Sequence, residues 1–282
     1  MKINCIDKNS ELFPYELKNI YKSPDKIYAS GDLSLLGDRS VAVVGARDCS
    51  DYGKCVSEII GARLALNDVT HISGMAKGID SYSHKGVLNK GGKTIAVLGF
   101  GMDKCYPREN SLLMEKIYGK GLLISEYEND FEGSKYSFPM RNRIISALSE
   151  SIVIVEAEYK SGSLITANFG LEQGKNIYAV PGNINNKKSL GTNLLIREGA
   201  IPLFVIDDLI RDLGIKPKLD NIYSLGKDEI KVLEAINEYD GIGIEKISHK
   251  ININVNILSG ILTILTIKGS IISLGGKFFI AK

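Results

Sequence analysis

Phe138–Pro181 reads FPMRNRIISALSESIVIVEAEYKSGSLITANFGLEQGKNIYAVP, and the order of patterns within it decides the fold. Phe138-Pro139 precedes a run whose apolar residues, Ile144, Ile145 and Leu148, recur at helical spacing, and proline suits a first helical turn. Ile152-Val-Ile-Val155 follows, a continuous apolar run of buried-strand type that ends on Glu156. Lys160-Ser-Gly-Ser163 then opens a second helix through Ile165, Thr166 and Ala167, and Ile177-Tyr-Ala-Val180 is the next strand. Arg141 and Arg143 stand at the head of the first helix, and Ser161, Gly162 and Ser163 at the head of the second. Cations, hydroxyls and unpaired backbone N–H groups at helix heads are equipment for holding anions.

The same rhythm runs outward in both directions. Val41-Ala-Val-Val44, Thr70-His-Ile-Ser73, Thr94-Ile-Ala-Val-Leu98 and Leu122-Leu-Ile124 precede it, and Pro202-Leu-Phe-Val205 follows. Segments of helical length lie between, such as the one carrying Val56, Ile59, Ile60 and Leu64. Apolar runs alternating with helices predict a parallel sheet with helices on both faces. Met1–Leu36 reads as a short lead-in packed on that domain. In such sheets ligands bind beyond the carboxyl ends of the strands. The residues there are Gly45-Ala-Arg47, Gly74-Met-Ala-Lys77-Gly78-Ile-Asp80, Gly99-Phe-Gly101, Ser125-Glu126, Glu156 and Pro181-Gly182.

From about Asp212 to Gly226 the pattern changes to a linker with Gly214, Lys216, Pro217 and Lys218. Beyond it, Lys227–Asn237, Ile244–Lys250 and Val255–Lys268 have helical period, and Ser270–Leu274, Gly275-Gly276 and Lys277–Ala281 read as a hairpin. Three helices and a hairpin predict a winged helix-turn-helix. The expected domains are therefore residues 1–214 and 222–282. The third helix would be the one to meet base edges, yet it offers Asn254, Asn256 and Ser259 and one cation, Lys268.

The 282 residues carry a formal net charge of only +2. A nucleic-acid partner must therefore be argued from where cations sit. Cys5, Cys49, Cys55 and Cys105 form no C-x-x-C pair, and with three scattered histidines they give no zinc spacing. The opening MKINCIDKNSELF has no apolar signal core and no run is long enough to span a bilayer, so a cytoplasmic place is expected, with no membrane, metal or cofactor. Gly99-Phe-Gly101 has Lys104 where a dinucleotide fingerprint needs its third glycine. Gly91-Gly-Lys-Thr94 leads into a strand, against a phosphate loop. No Gly-x-Ser-x-Gly elbow is present.

What remains is a set of cations after strands or at helix heads: Arg47, Lys77, Arg108, Lys135, Arg141, Arg143 and Lys160. Tyr106, Tyr136 and Phe138 interleave with them. Backbone-tracking cations beside stackable rings are what single-stranded nucleic acid requires. Gly74 and Gly78 let a ligand approach the backbone closely, Ser73 and Lys77 supply a hydroxyl and a charge, and Gly45 stands directly after the first run. Asp80 and His84, at i and i+4, could pair on one helix face, and Glu126 and Glu156 could serve as acid–base groups or orient arginines.

The motifs closely resemble one family, the DprA/Smf proteins of DNA processing in bacterial transformation. The resemblance is carried by Val41–Arg47, Ser73–Asp80 with His84, Thr94–Asp103, Tyr106–Asn110, Arg141–Ile145, Ser161–Ala167, Pro181-Gly182, Gly191–Ile196 and Gly199-Ala200. It implies an extended Rossmann-like domain that binds single-stranded DNA, loads the recombinase RecA and forms a homodimer near Leu195, Ile196 and Ile201. It also implies an arginine at Arg47, a basic residue at Arg108 and an aromatic at Phe138 in the DNA pocket. Ala46 stands where serine is commoner. The chain is not expected to carry the sterile-alpha-motif-like domain of other members. Two rival readings are kept. One is a nucleoside-monophosphate phosphoribohydrolase, whose compact Pro-Gly-Gly loop this chain lacks, with Asn183 after Gly182. The other is a winged-helix transcription regulator.

Overall fold

The computed structural model of the chain describes residues 2–218, 227–239, 241–267 and 270–280. The chain divides into two compact units, Met1–Lys218 and Leu219–Lys282. In the larger, the elements run β1 (Asn4–Asp7), α1 (Tyr15–Lys18), β2 (Lys26–Gly31), β3 (Ser40–Val44), α2 (Asp51–Leu66), β4 (Thr70–Ser73), α3 (Ile79–Asn89), β5 (Thr94–Leu98) and α4 (Ser111–Lys120). They continue with β6 (Leu122–Ser125), α5 (Ser137–Ala147), β7 (Ser151–Ile154), α6 (Gly162–Glu172), β8 (Asn176–Ala179), α7 (Leu190–Arg197), β9 (Ile201–Pro202) and α8 (Ile206–Asp212). All nine strands form one sheet in the order β1-β2-β6-β5-β4-β3-β7-β8-β9. Pairing from β6 through β9 is parallel, giving a Rossmann-like sheet.

Every residue of β3, β4, β5, β6 and β7 is buried, as a sheet covered on both faces demands. Alternation splits each strand between two cores. Val41 and Val43 of β3 pack with Ile60 and Leu64 of α2, Ile79 of α3 and Leu209 of α8. Ala42 and Val44 pack with Ile144 of α5, Ala167 of α6 and Leu195 of α7. Each fully buried Val or Ile side chain contributes about 1.5–3 kcal/mol relative to exposure.

The lead-in is more than a lead-in. Residues 4–7 and 26–31 add two antiparallel strands, with Cys5 opposite Tyr28 and Tyr28 opposite Ser125. At the other edge the strand expected over Pro202–Val205 shrinks to Ile201–Pro202, since proline cannot donate to a ladder. Nor does the pattern stop at Asp212. α8 runs to that residue, and Ile215 packs on the α2–α8 core.

The chain builds β3, β4, β5 and β6 outward in one direction, returns, and builds β7, β8 and β9 in the other. β3 and β7 are therefore neighbours at a topological switch point, where the loops leaving adjacent strands diverge and open a crevice.

In the smaller unit α9 (Lys227–Asn237), β10 (Ile242–Gly243), α10 (Ile244–Ile251), α11 (Val255–Ile267), β11 (Ile271–Leu274) and β12 (Lys277–Ile280) follow in order. The strands form an antiparallel sheet, β10-β12-β11. Val232, Ile236, Ile247, Leu258, Leu262, Leu265 and Ile271 make its core. The expected linker lies in part outside the described residues, as do Lys268 and Ala281. No described helix is long and apolar enough to cross a membrane.

Candidate nucleic-acid interface

Two joined cavities open at the switch point. One of about 530 Å³ is walled by Gly45, Arg47 and Asp48 after β3, by Phe138, Arg141 and Asn142 of α5, and by Glu158, Lys160–Ser163 and Thr166 after β7. The other, of about 470 Å³, is walled by Gly74, Ala76 and Lys77 after β4 and by Tyr106–Glu109. Arg47, Ala76, Phe138 and Arg141 line both, so the two are lobes of one groove.

Arg47 marks the junction. It is exposed, and its guanidinium carbon lies 5.6 Å from the centre of the Phe138 ring. Tyr106 leans on the same ring, with centroids 5.1 Å apart and planes tilted 42°. A guanidinium over an aromatic face gains attraction from the ring quadrupole. The loop that carries Arg47 is pinned from below. Ala46 N–H donates to the Glu156 carbonyl and Ile79 N–H to the Ala46 carbonyl. Gly78 makes the second contact possible: its φ is +82°, and a Cβ there would meet the carbonyl oxygens of Ala46 and Arg47 at 2.4 Å.

Arg141 forms the floor. It is 4% exposed, and its Nη1 donates to the carbonyls of Gly74, at 2.7 Å, and of Val97. Gly74 has no Cβ where one would stand 2.4 Å from the guanidinium. Burial pulls the Arg141 guanidinium down to about 10, opposed by Asp80. Burial in turn pushes the Asp80 carboxyl up, opposed by Arg141 and by the N–H groups of Ala76 and Gly74 that donate to it. At the far wall Ser161 caps α6, accepting from Ser163 N–H at 3.4 Å, and the two hydroxyls lie 2.8 Å apart. The exposed cations Lys77, Arg108 and Lys160 complete the rim.

Of the residues expected here, Gly45, Arg47, Gly74, Lys77, Arg108, Phe138, Arg141, Ser161, Gly162 and Ser163 line the groove. Four others do not. Ser73 turns its hydroxyl into the sheet and donates to the Val43 carbonyl. Gly78 acts behind the Arg47 loop. Lys135 is exposed and lies over the Tyr136 ring. Arg143 is 3% exposed and donates through Nη2 to Glu126. Its position two residues beyond Arg141 on α5 turns it away from the cavity, into a buried ion pair.

The expected pairing of Asp80 with His84 gives way to separate partners. His84 Nδ1 and His71 Nδ1 both meet Thr94 Oγ1, at 2.7 and 2.8 Å, and His71 Nε2 meets Ser83 Oγ. Burial holds His71 at about 3 and His84 well below the usual imidazole range, so this is a neutral core cluster. Glu156 holds the head of α2, accepting from the N–H and hydroxyl of Ser50. Asp48, Asn142, Glu158 and Thr166 line the groove without having been singled out. For Asn142 a signal existed, since it lies one helical turn from Phe138.

Residues 4–214 match the family described as DNA recombination-mediator protein A. The chain belongs to that family. DNA processing protein DprA of Bacillus subtilis is 39% identical over 212 residues, 75% of this chain and 71% of its own. The crystal structure of DprA from Streptococcus pneumoniae superposes with a TM-score of 0.72 at 38% identity, covering 75% of each chain. DprA from Helicobacter pylori gives 0.69 at 33% identity, over 76% of this chain and 96% of that one, in a structure described as addressing that protein's single-stranded DNA binding mode.

Proposed function

We propose that this chain is a non-catalytic recombination mediator. It holds single-stranded DNA in the switch-point groove and helps load RecA onto the strand in DNA processing or natural transformation. Phosphates would lie against Arg47, Lys77, Arg108 and the head of α6, and a base against Phe138. The observation that carries this reading is the pairing of exposed Arg47 with the Phe138 ring at the junction of the two lobes. It puts a phosphate-seeking cation and a stackable ring within one nucleotide's reach. The single-strand binding described for the H. pylori relative supports it as well. Lys135, on the loop before α5, remains a proposed contact outside the groove itself. The protein works in the cytoplasm and as a homodimer. Leu195 belongs to the sheet's core, so a self-association surface near it would use Ile196 and the exposed Ile201.

Fluorescence anisotropy with labelled oligothymidylate and a duplex of equal length, across salt, tests the reading. Tighter single-strand binding that weakens with salt is expected; equal or tighter duplex binding overturns it. Glu126 and Glu156, considered for acid–base work, are engaged with Arg143 and Ser50. Incubation with AMP is therefore expected to release no adenine. For the smaller unit we read the element order as a winged helix that binds duplex poorly. Ile251–Ile267 contains no charged residue, and duplex affinity rests on neutralising phosphates.

A further inference from the structure

Four strands end the two sheets, and three of them are poor templates for pairing. β9 and β10 have two residues each, and β9 ends on Pro202. β1 contains Asp7 and is flanked by Lys2 and Lys8. Short strands, proline and charge are the ordinary means of keeping an edge from pairing with another chain. β11 has none of them. Ser270–Gly276 reads Ser-Ile-Ile-Ser-Leu-Gly-Gly, without charge or proline. β11 is the outer strand of its sheet, and among the described residues no strand pairs with its open side.

The side chains make that edge adhesive. Ile271 faces the core, whereas Ile272 is 52% and Leu274 70% exposed on the other face of the hairpin. Ile272 lies opposite Phe279 there. The backbone fixes which groups look outward. Gly275 and Gly276, both at positive φ, form a two-residue turn between the paired Leu274 and Lys277. In such a turn the flanking pair exchanges hydrogen bonds, so by alternation Ile271 and Ser273 present their N–H and C=O to the open side.

We infer that β11 pairs antiparallel with β11 of a second copy of this chain, about a two-fold axis at Ser273. Ser273 of each copy then exchanges both backbone hydrogen bonds with its counterpart. Ile272 meets Leu274 of the other copy twice, on the same face. The two hairpins merge into one sheet whose outer side carries a continuous apolar strip. The paired segment itself carries no charge. A register centred on Ile272 would leave Leu274 opposite Ser270, so it covers less of the exposed apolar surface. This contact goes beyond the groove and is separate from a self-association surface in the larger unit. A strand-edge interface is small, and small interfaces belong to weak, concentration-dependent association.

The test uses the full chain. Sedimentation velocity from low to high micromolar concentration is expected to show reversible association into species larger than the homodimer proposed for the larger unit. Leu274→Lys, at an exposed position, should weaken it at least about tenfold while leaving the circular dichroism spectrum unchanged. Oxidation of Ser273→Cys should link two chains, since a hydrogen-bonded antiparallel pair brings the Cα atoms to about 5.5 Å. The wild-type chain, with exposed Cys5 and Cys55, gives the background for that link. Unchanged association in Leu274→Lys overturns the inference. So does a Ser273→Cys chain that links no better than wild type, or a link that forms at Ile272→Cys instead.

Discussion

α5 has a front and a back, and arginines two residues apart meet opposite fates on them. A helix turns about 100° per residue, so Arg141 and Arg143 point about 200° apart. On the front, Phe138, Arg141 and Asn142 face the groove. On the back, Arg143 is sealed with Glu126, and side-chain exposures are 4% and 12%. Two nitrogens of Arg143 and one oxygen of Glu126 have no partner among the described residues. The difference teaches that a cation beside a binding motif is not thereby part of the site. Its angle on the helix decides whether it borders the groove or shores up the wall behind it.

The sharpest way to break this contrast is Arg143→Met. It strands the Glu126 carboxylate in a nearly dry interior, and removing one partner of a buried pair costs about 3–5 kcal/mol. Urea denaturation should read that loss, and a cost below about 1 kcal/mol would make the back of α5 a surface. Next comes Phe138→Ala on the front. Removing one stacking ring should weaken oligothymidylate binding by about 1–3 kcal/mol in anisotropy titrations, and an unchanged affinity would take the ring off the strand's path. Arg47→Ala is subtler. With one phosphate contact gone, the log–log salt slope should shrink by about 0.7, with little loss of stability because Arg47 is exposed. A slope identical to wild type would leave Arg47 as a partner of Phe138 alone. The smallest effect is expected from ending the chain at Lys218. Single-strand affinity should then shift by less than about tenfold, 1.4 kcal/mol. A larger loss would give the smaller unit a share in binding.

Much of this was legible in the sequence because burial on both faces writes a strand as a plain apolar run. β3 through β8 show themselves that way, and the residues just beyond β3, β4 and β7 supply Arg47, Lys77 and Ser161–Ser163 to the groove. β1 and β2 escaped notice for the converse reason. β1 buries only Ile6, the pattern of a half-covered edge, while β2, though buried from Ile27 to Ser30, is exposed at both ends, and lysines and aspartates stand in or beside both. β10, at two residues, is too short to show a period. The site was read from charge and order along the chain, which found the cations. Helical phase, which separates Arg141 from Arg143 and adds Asn142, was equally available and goes further than residue type. The wall residues Asp48, Glu158 and Thr166 needed the neighbouring of β3 and β7, which only long-range pairing supplies.

That neighbouring also has a consequence in time. Arg47 leaves β3 and Ser161 follows β7, so opposite walls of the groove come from positions more than a hundred residues apart, the whole of β4, β5 and β6 lying between. During synthesis, N-terminal segments emerge first, and β3 waits with its outer edge open until β7 arrives to pair with it. No half-made chain can own the groove. A ligand held there would clasp early and late segments together and so stabilise the fold that holds it.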